Sequence, residues 1–219
     1  MIPKNLLEMK AFIGGTYVEQ MPSLISEGFA PLRIREIIEL ILEGRISFLS
    51  SIPFFDSVSG IAYAGDKQDK FKIIPCSQDL ERINLQTKLA FGGKEFTQEQ
   101  YYQIMNEEFS RQAMPLNRDL TEKEALEHLG WLELVEGDRK LLEKYVEYAF
   151  RQALNKWGMR EAMEFRVDDP WKISNIKDCL LFGIGGSGSF NVKTYSLRND
   201  PVCLLGVKIR ERFLNPYSN

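Results

Sequence analysis

The feature that most constrains the fold is a change of hydrophobic period, because helical spacing in the middle of the chain gives way to strand-like alternation near its end. From Asp138, a helix-capping residue, to Gly158, a helix-stopping one, apolar residues recur every three or four positions. That stripe consists of Leu142, Val146, Ala149, Ala153 and Trp157. Further on, Met163, Phe165 and Val167 alternate with charged residues, as in a half-buried strand. Elements that are segregated in this way predict an α+β fold.

Two capping boxes mark helix starts in the middle region, namely Thr97 with Gln100 and Thr121 with Glu124. The first helix is expected to continue to about residue 109, and the second to stop at Gly130. The apolar residues that support the longer helix are Tyr101, Ile104, Met105 and Phe109.

The N-terminal part predicts one helix and one β-hairpin. The run from Leu32 to Glu43 is apolar at helical spacing and ends at Gly44. Residues 59–77 alternate with period two on either side of a turn at 65–69, and Pro75 should end the second strand. No linker or repeat divides the chain. We therefore predict a single α+β domain over residues 1–219, with a mixed part (1–96), a helical part (97–158) and a strand-rich part (159–219, strands at about 162–210).

The composition excludes several classes of protein. The chain is 44% hydrophobic and 27% charged, which is typical of a globular protein and not of a disordered one. A net charge of −3 and the lack of a strongly basic segment argue against binding to nucleic acid. No apolar run approaches the length of about 20 residues that spans a bilayer, so we expect no membrane association. Three scattered cysteines do not make a disulfide framework and favour a cytoplasmic location.

A glycine-rich string near the C-terminus has the spacing of a dinucleotide-binding fingerprint. It consists of Gly183, Gly185, Gly186, Ser187 and Gly188, which follow an apolar strand. The residues after it are β-branched and aromatic, whereas the fingerprint requires a helix at that point. We therefore favour a flexible hairpin loop over a phosphate-binding loop, and we expect no cofactor.

Residues that could carry chemistry are few and separated. His128 is the one histidine, and we expect it at the surface or rim of its helix, where it could act as an acid or base with a carboxylate or with Cys76. Asp168 and Asp169 precede Pro170, and this composition favours a turn. The alternative is that the two carboxylates bind a cation or a sugar. One histidine and three isolated cysteines offer too few ligands for a zinc site, so we expect no metal.

These patterns contain no assembled catalytic set. We therefore predict a non-catalytic protein-binding or accessory module, with another protein as its partner and with self-association left open. The alternative is a hydrolase or transferase that uses carboxylates in a cleft between the helical middle and the C-terminal strands. The sequence patterns are compatible with both an enzyme and a binding protein.

Overall fold

The computed structural model of the chain describes residues 8–46, 54–64, 70–104, 106–167, 179–187 and 190–208. The strands are β1 (Glu8–Gly15), β2 (Ala30–Pro31), β3 (Phe54–Tyr63), β4 (Lys70–Ile74), β5 (Leu89–Ala90), β6 (Gly93–Phe96), β7 (Glu108–Ser110), β8 (Asp119–Leu120), β9 (Ala162–Arg166), β10 (Cys179–Ser187), β11 (Val192–Tyr195) and β12 (Val202–Lys208). The helices are α1 (Tyr17–Ser26), α2 (Ile34–Leu42), α3 (Gln78–Glu81), α4 (Gln98–Gln103), α5 (Glu122–Glu127), α6 (Leu129–Leu134) and α7 (Arg139–Trp157).

One mixed sheet organises the described part of the chain. Its main path runs β1-β12-β3-β10-β11-β9-β8, so β3 from the first third of the chain lies between the C-terminal strands β12 and β10. The β12–β3 and β11–β9 pairs are parallel, and the other pairs along the path are antiparallel. The mixture of helices with a large mixed sheet confirms the predicted α+β class.

Apolar side chains fill a core on each face of this sheet. On one face, α2, α6 and α7 contribute residues such as Ile37, Trp131 and Val146. On the other face, α1 contributes Tyr17 and Met21, which pack with residues of β1, β10 and β12. Because successive residues of a strand point to opposite faces, the central strands supply both cores and read as continuous apolar runs.

The local signals for helix starts and ends are confirmed at several positions. Asp138 caps α7 by accepting a hydrogen bond from the Leu141 amide at 3.1 Å, and Gly158 ends it in the left-handed conformation. The two expected capping boxes start α4 and α5. The hairpin of β3 and β4 forms, and its second strand ends directly before Pro75, while the turn at 65–69 lies outside the described residues.

Two expectations for the middle region are wrong, and two N-terminal elements were missed. Helix α4 ends at Gln103, and Phe109 instead lies in β7, where it pairs with Phe71 of β4. Tertiary pairing therefore overrides the helical spacing of that segment. Gly130 does not stop a helix but lies inside α6. The β1 strand and the α1 helix were not predicted, although Thr16 and Glu19 form a capping box at the start of α1.

No helix in the described ranges combines the length and the apolar character that crossing a membrane requires.

Candidate functional site

The strands β3 and β10 pair irregularly at the centre of the sheet. Gly183 pairs with Gly60 and Gly185 pairs with Asp56, so two steps along β10 correspond to four along β3. The two extra residues make a bulge in β3, and bulges reorient side chains next to functional sites as well as at sheet edges.

Serine side chains hold the bulge in place. The Ser57 hydroxyl donates to the Ile184 carbonyl at 2.6 Å, and the Ser59 hydroxyl donates to the Pro75 carbonyl at 2.7 Å. The Ser59 oxygen also accepts from the Ile34 amide at 3.1 Å, which joins the start of α2 to the sheet. Both serines are fully buried, so these bonds satisfy polar groups that water cannot reach.

Two buried tyrosines converge on the same bulge. The hydroxyls of Tyr17 and Tyr195 donate to the Ser57 carbonyl at 3.1 Å and 3.3 Å. Burial raises the pKa of both phenols well above the usual value, and the nearby Asp56 carboxylate raises it further. Both tyrosines are therefore neutral hydrogen-bond donors that fix the bulge.

Asp56 is a buried carboxyl group beside this bulge. Asp56 is 5% exposed, and its Oδ2 atom accepts a hydrogen bond from the Cys203 amide at 2.7 Å. Burial raises the pKa of Asp56 to about 7, against the opposing effects of the Cys203 hydrogen bond and the Lys193 charge, while Asp200 raises it further. A carboxyl group that titrates near neutral pH is a recognised mark of a functional site.

The position between Asp56 and Lys193 is occupied by a glycine. Gly185 pairs with Asp56 on one side and with Lys193 on the other, so the three residues share one face of the sheet. A Cβ atom at Gly185 would lie 2.6 Å from Oδ1 of Asp56. Because Gly185 has no side chain, the Asp56 carboxyl group can pack over its backbone, between two strands that are about 10 Å apart, twice the usual strand spacing. We call Asp56, Gly185 and Lys193 the Gly185 slot.

The glycine string is part of strand β10, which corrects the expectation of a flexible hairpin loop. Gly183, Gly185 and Gly186 pair with β11 residues in the sheet, and none of them has the positive φ that a glycine turn requires. Gly183 is needed for space, because a Cβ there would lie 2.3 Å from the Tyr195 ring. Its ladder position also argues against a phosphate-binding loop, whose free amides must converge on an anion. Ser187 ends β10, and Gly188 lies outside the described residues.

His128 is buried, which corrects the expected surface position. Its Nε2 atom lies 2.9 Å from the Pro115 carbonyl, and its Nδ1 atom accepts from the Trp131 amide at 3.3 Å, so the ring caps α6. The imidazole also stacks on Phe165. Burial lowers the pKa of His128 to about 4. The ring is therefore neutral, with its proton on Nε2 and both nitrogens bound to the main chain.

In the part of the chain that the structure describes, the hydrogen-bonding and charged neighbours of Cys76 are different residues from those of His128. The Cys76 thiol is exposed after β4, where the charges that act on it are those of Glu81, Arg33, Glu36 and Glu136. Partial desolvation raises the pKa of this thiol, with Glu81 adding to the effect, so it is less reactive than an ordinary cysteine. Neither residue has the surroundings of a thiolate–imidazole pair.

The remaining candidates give no further site in the described ranges. Asp168 and Asp169 lie outside those ranges. A cavity of about 220 Å³ next to His128 is smaller than typical ligand pockets. It is lined by Ala113, Met114, Pro115, Glu124, Glu127, His128 and Leu129. Among the described residues, no three metal-ligating side chains gather around one point.

Sequence reasoning missed Asp56, although a signal for it exists. An acidic residue stands inside the run Phe54–Tyr63, which is otherwise apolar or small, and a charge within a central strand is rarely buried without a purpose. The period-two alternation begins only at residue 59, so Asp56 lies outside the pattern that predicted the hairpin.

Comparison with known proteins identifies the fold. No known family model matches the sequence, and no curated protein matches it either. A solved structure from Nanoarchaeota, described as accommodating massive sequence variation by the C-type lectin fold, is similar with a TM-score of 0.68. The similarity covers 94% of this chain and 100% of that one, at 12% sequence identity. At this identity the likeness establishes the fold alone, and the chain is thus an α+β protein of the C-type lectin fold.

Proposed function

We propose that this chain is a non-catalytic binding module built on the C-type lectin fold, with another protein as its partner. The observation that carries the proposal is the full-length similarity to a nanoarchaeal scaffold that is described as accommodating massive sequence variation. A framework that holds its shape while its residues change is suited to recognition. The proposal extends to a single domain over residues 1–219 and to a cytoplasmic location, which rests on the scattered cysteines.

The Gly185 slot is the binding site that we propose. Oδ2 of Asp56 is bonded to Cys203, whereas Oδ1 has no donor in the described part of the chain and faces the space above Gly185. Among the described residues, two carboxylates, those of Asp56 and Asp200, and one ammonium group, that of Lys193, act on each other here. This excess of negative charge favours a hydrogen-bond donor with a positive charge, such as a lysine or arginine of the partner.

A peptide-display selection tests this proposal. Random peptides are selected on the wild-type protein with counter-selection on Asp56→Asn, and the enriched peptides are titrated calorimetrically. We expect enrichment of lysine or arginine, and binding at least about 10-fold weaker to Asp56→Asn, as for the loss of one charge-assisted hydrogen bond. Lys144→Ala is the matched control, because Lys144 is exposed on α7 and belongs to the other face of the sheet.

Two results would contradict the binding proposal. One is a failure to obtain any saturable peptide ligand for the folded wild-type protein. The other is a set of ligands that bind wild type and Asp56→Asn equally, which would move the binding surface away from the slot.

An enzyme that uses Asp56 as a general acid or base is the second candidate. The observation that favours it is the pKa of Asp56 near 7, which suits proton transfer at neutral pH. This site is not in the expected cleft beside the helical middle. Phe55 faces the core that contains α7, and the adjacent residue Asp56 therefore points to the opposite face of the sheet. Under this alternative, Asp56→Asn would abolish turnover of a substrate while leaving its binding intact.

A further inference from the structure

Strand β1 is an edge strand. It pairs with β12 over almost its whole length, and no other described strand pairs with its outer side. An open edge presents unpaired amide and carbonyl groups and can accept another strand. Proteins usually protect such an edge with charged residues, so the charges of β1 decide whether this one is available.

The charged side chains of β1 are occupied within the chain. The Lys10 ammonium lies 2.5 Å from a Glu27 carboxylate oxygen and 4.8 Å from the centre of the Phe12 ring. Glu8 lies 3.9 Å from Lys208 of the neighbouring strand β12. Both charged groups therefore point toward other parts of the same chain and do not block the pairing of another strand with β1.

The other face of β1 carries apolar residues that are exposed. Met9, Ala11 and Ile13 alternate along this face, and Ile13 is 59% exposed while Met9 is 36% exposed. Ala11 packs partly against the core. The regular strand ends after Ile13, because the register shifts there and Gly14 has a φ of +94°.

This pattern is self-complementary about Ala11. If two copies of β1 pair antiparallel with Ala11 opposite Ala11, each Met9 lies opposite an Ile13, and the exposed apolar residues cover each other. The same register places Lys10 opposite Phe12, so no like charges meet. If the two-fold axis instead passed through residue 10, Lys10 of one copy would lie opposite Lys10 of the other, and the two charges would repel each other.

We propose that the chain forms a two-fold symmetric dimer in which the β1 strands of two copies pair antiparallel about Ala11 and extend the sheet across both subunits. The pairing involves residues 9–13 of each copy. So short an interface makes a weak dimer, with a dissociation constant on the order of 100 µM. The dimer uses a different surface from the Gly185 slot and does not depend on the proposed binding function.

Cysteine crosslinking tests the register directly. The exposed thiol is first removed by the substitution Cys76→Ser, and the buried Cys179 and Cys203 are kept. In this background, Ala11→Cys places two thiols at the symmetry axis within disulfide reach. Ile13→Cys is the matched control, because two copies of residue 13 would be offset by four residues, about 13 Å. We expect oxidation to crosslink Ala11→Cys at least 10 times faster than Ile13→Cys.

Sedimentation of the wild-type protein provides the second measurement. Ile13→Lys should weaken self-association at least 10-fold, whereas Leu85→Lys, at a site that is 72% exposed on another segment, should leave it unchanged. A wild-type protein that stays monomeric at millimolar concentration would overturn the proposal. Equal crosslinking at positions 11 and 13, or equal effects of the two lysine variants, would do so as well.

Discussion

His128 and Asp56 are both buried and titratable, but their surroundings differ. Both nitrogens of His128 are bonded to main-chain groups, and the ring is neutral at neutral pH because its pKa is about 4. Asp56 accepts a hydrogen bond from a described residue at one oxygen, lies near the charges of Lys193 and Asp200, and has a pKa of about 7. The histidine therefore stabilises the fold, whereas the ionised aspartate costs stability. Natural proteins keep such a cost mainly where a residue serves a function.

Replacing His128 should have the largest effect on stability. His128→Ala removes the cap of α6, leaves the Pro115 carbonyl without its donor and opens a cavity next to Phe165. We expect the free energy of unfolding to fall by about 4 kcal/mol, measured by urea denaturation. His128→Asn keeps a cap acceptor and should lose about half as much. If His128→Ala were as stable as wild type, the structural role of this histidine would be disproved.

Replacing Asp56 should raise the free energy of unfolding at neutral and alkaline pH, whereas replacing His128 lowers it. The folded-state pKa of about 7 lies above the ordinary 3.8, so the stabilising contribution of the protonated carboxyl is complete below pH 3.8 and is lost as the pH rises to about 7. Asp56→Asn cannot ionise and keeps an acceptor for Cys203. We expect it to stabilise the protein by about 3 kcal/mol more at pH 8 than at pH 4.

The comparison of unfolding curves at pH 4 and pH 8 checks the Asp56 prediction. Lys144→Ala serves as the control and should shift neither curve by more than about 0.5 kcal/mol. If Asp56→Asn were destabilising at pH 8, the carboxylate would be a structural group like His128, and the contrast between the two regions would not hold.

The adjacent glycines Gly185 and Gly186 test how closely the slot around Asp56 is packed. A Cβ at Gly185 would lie 2.6 Å from Oδ1 of Asp56, whereas a Cβ at Gly186 would lie 3.9 Å from the Asn191 carbonyl oxygen, its nearest contact among the described residues. We expect Gly185→Ala to cost about 1–3 kcal/mol and to weaken ligand binding, and Gly186→Ala to change stability by no more than about 0.5 kcal/mol. Thermal unfolding of the two variants measures this difference, and equal effects would show that the slot is not closely packed.

Local chemistry in the sequence predicted much of the fold. The capping boxes at Thr97 and Thr121, and the cap at Asp138, depend on side chains within three residues of the amide that they bind, so they could be recognised without the tertiary structure. The alternation from Met163 to Val167 likewise predicted β9. Segments that depend on distant partners were less predictable. Phe109 lies in a strand because β4 is beside it, and nothing within the segment shows that.

The candidate site could not be derived from sequence for the same reason. Asp56 lies 147 residues before Cys203, its hydrogen-bond donor, and 129 residues before Gly185. Only the pairing of β3 with β10 and β12 brings these residues together, and the same pairing turns the glycine string from an expected loop into a strand. The single-domain organisation over residues 1–219 stays a prediction.

The sequence by itself determined the α+β class, the caps of the main helices and the strands whose apolar residues alternate, because these follow from interactions between residues that are close along the chain. The tertiary structure decided which titratable groups are buried, with both His128 nitrogens bonded to the main chain and Asp56 bonded through Oδ2 to the Cys203 amide. Burial and charge act through space, so the pKa values of these two groups depend on neighbours that the order of residues does not reveal.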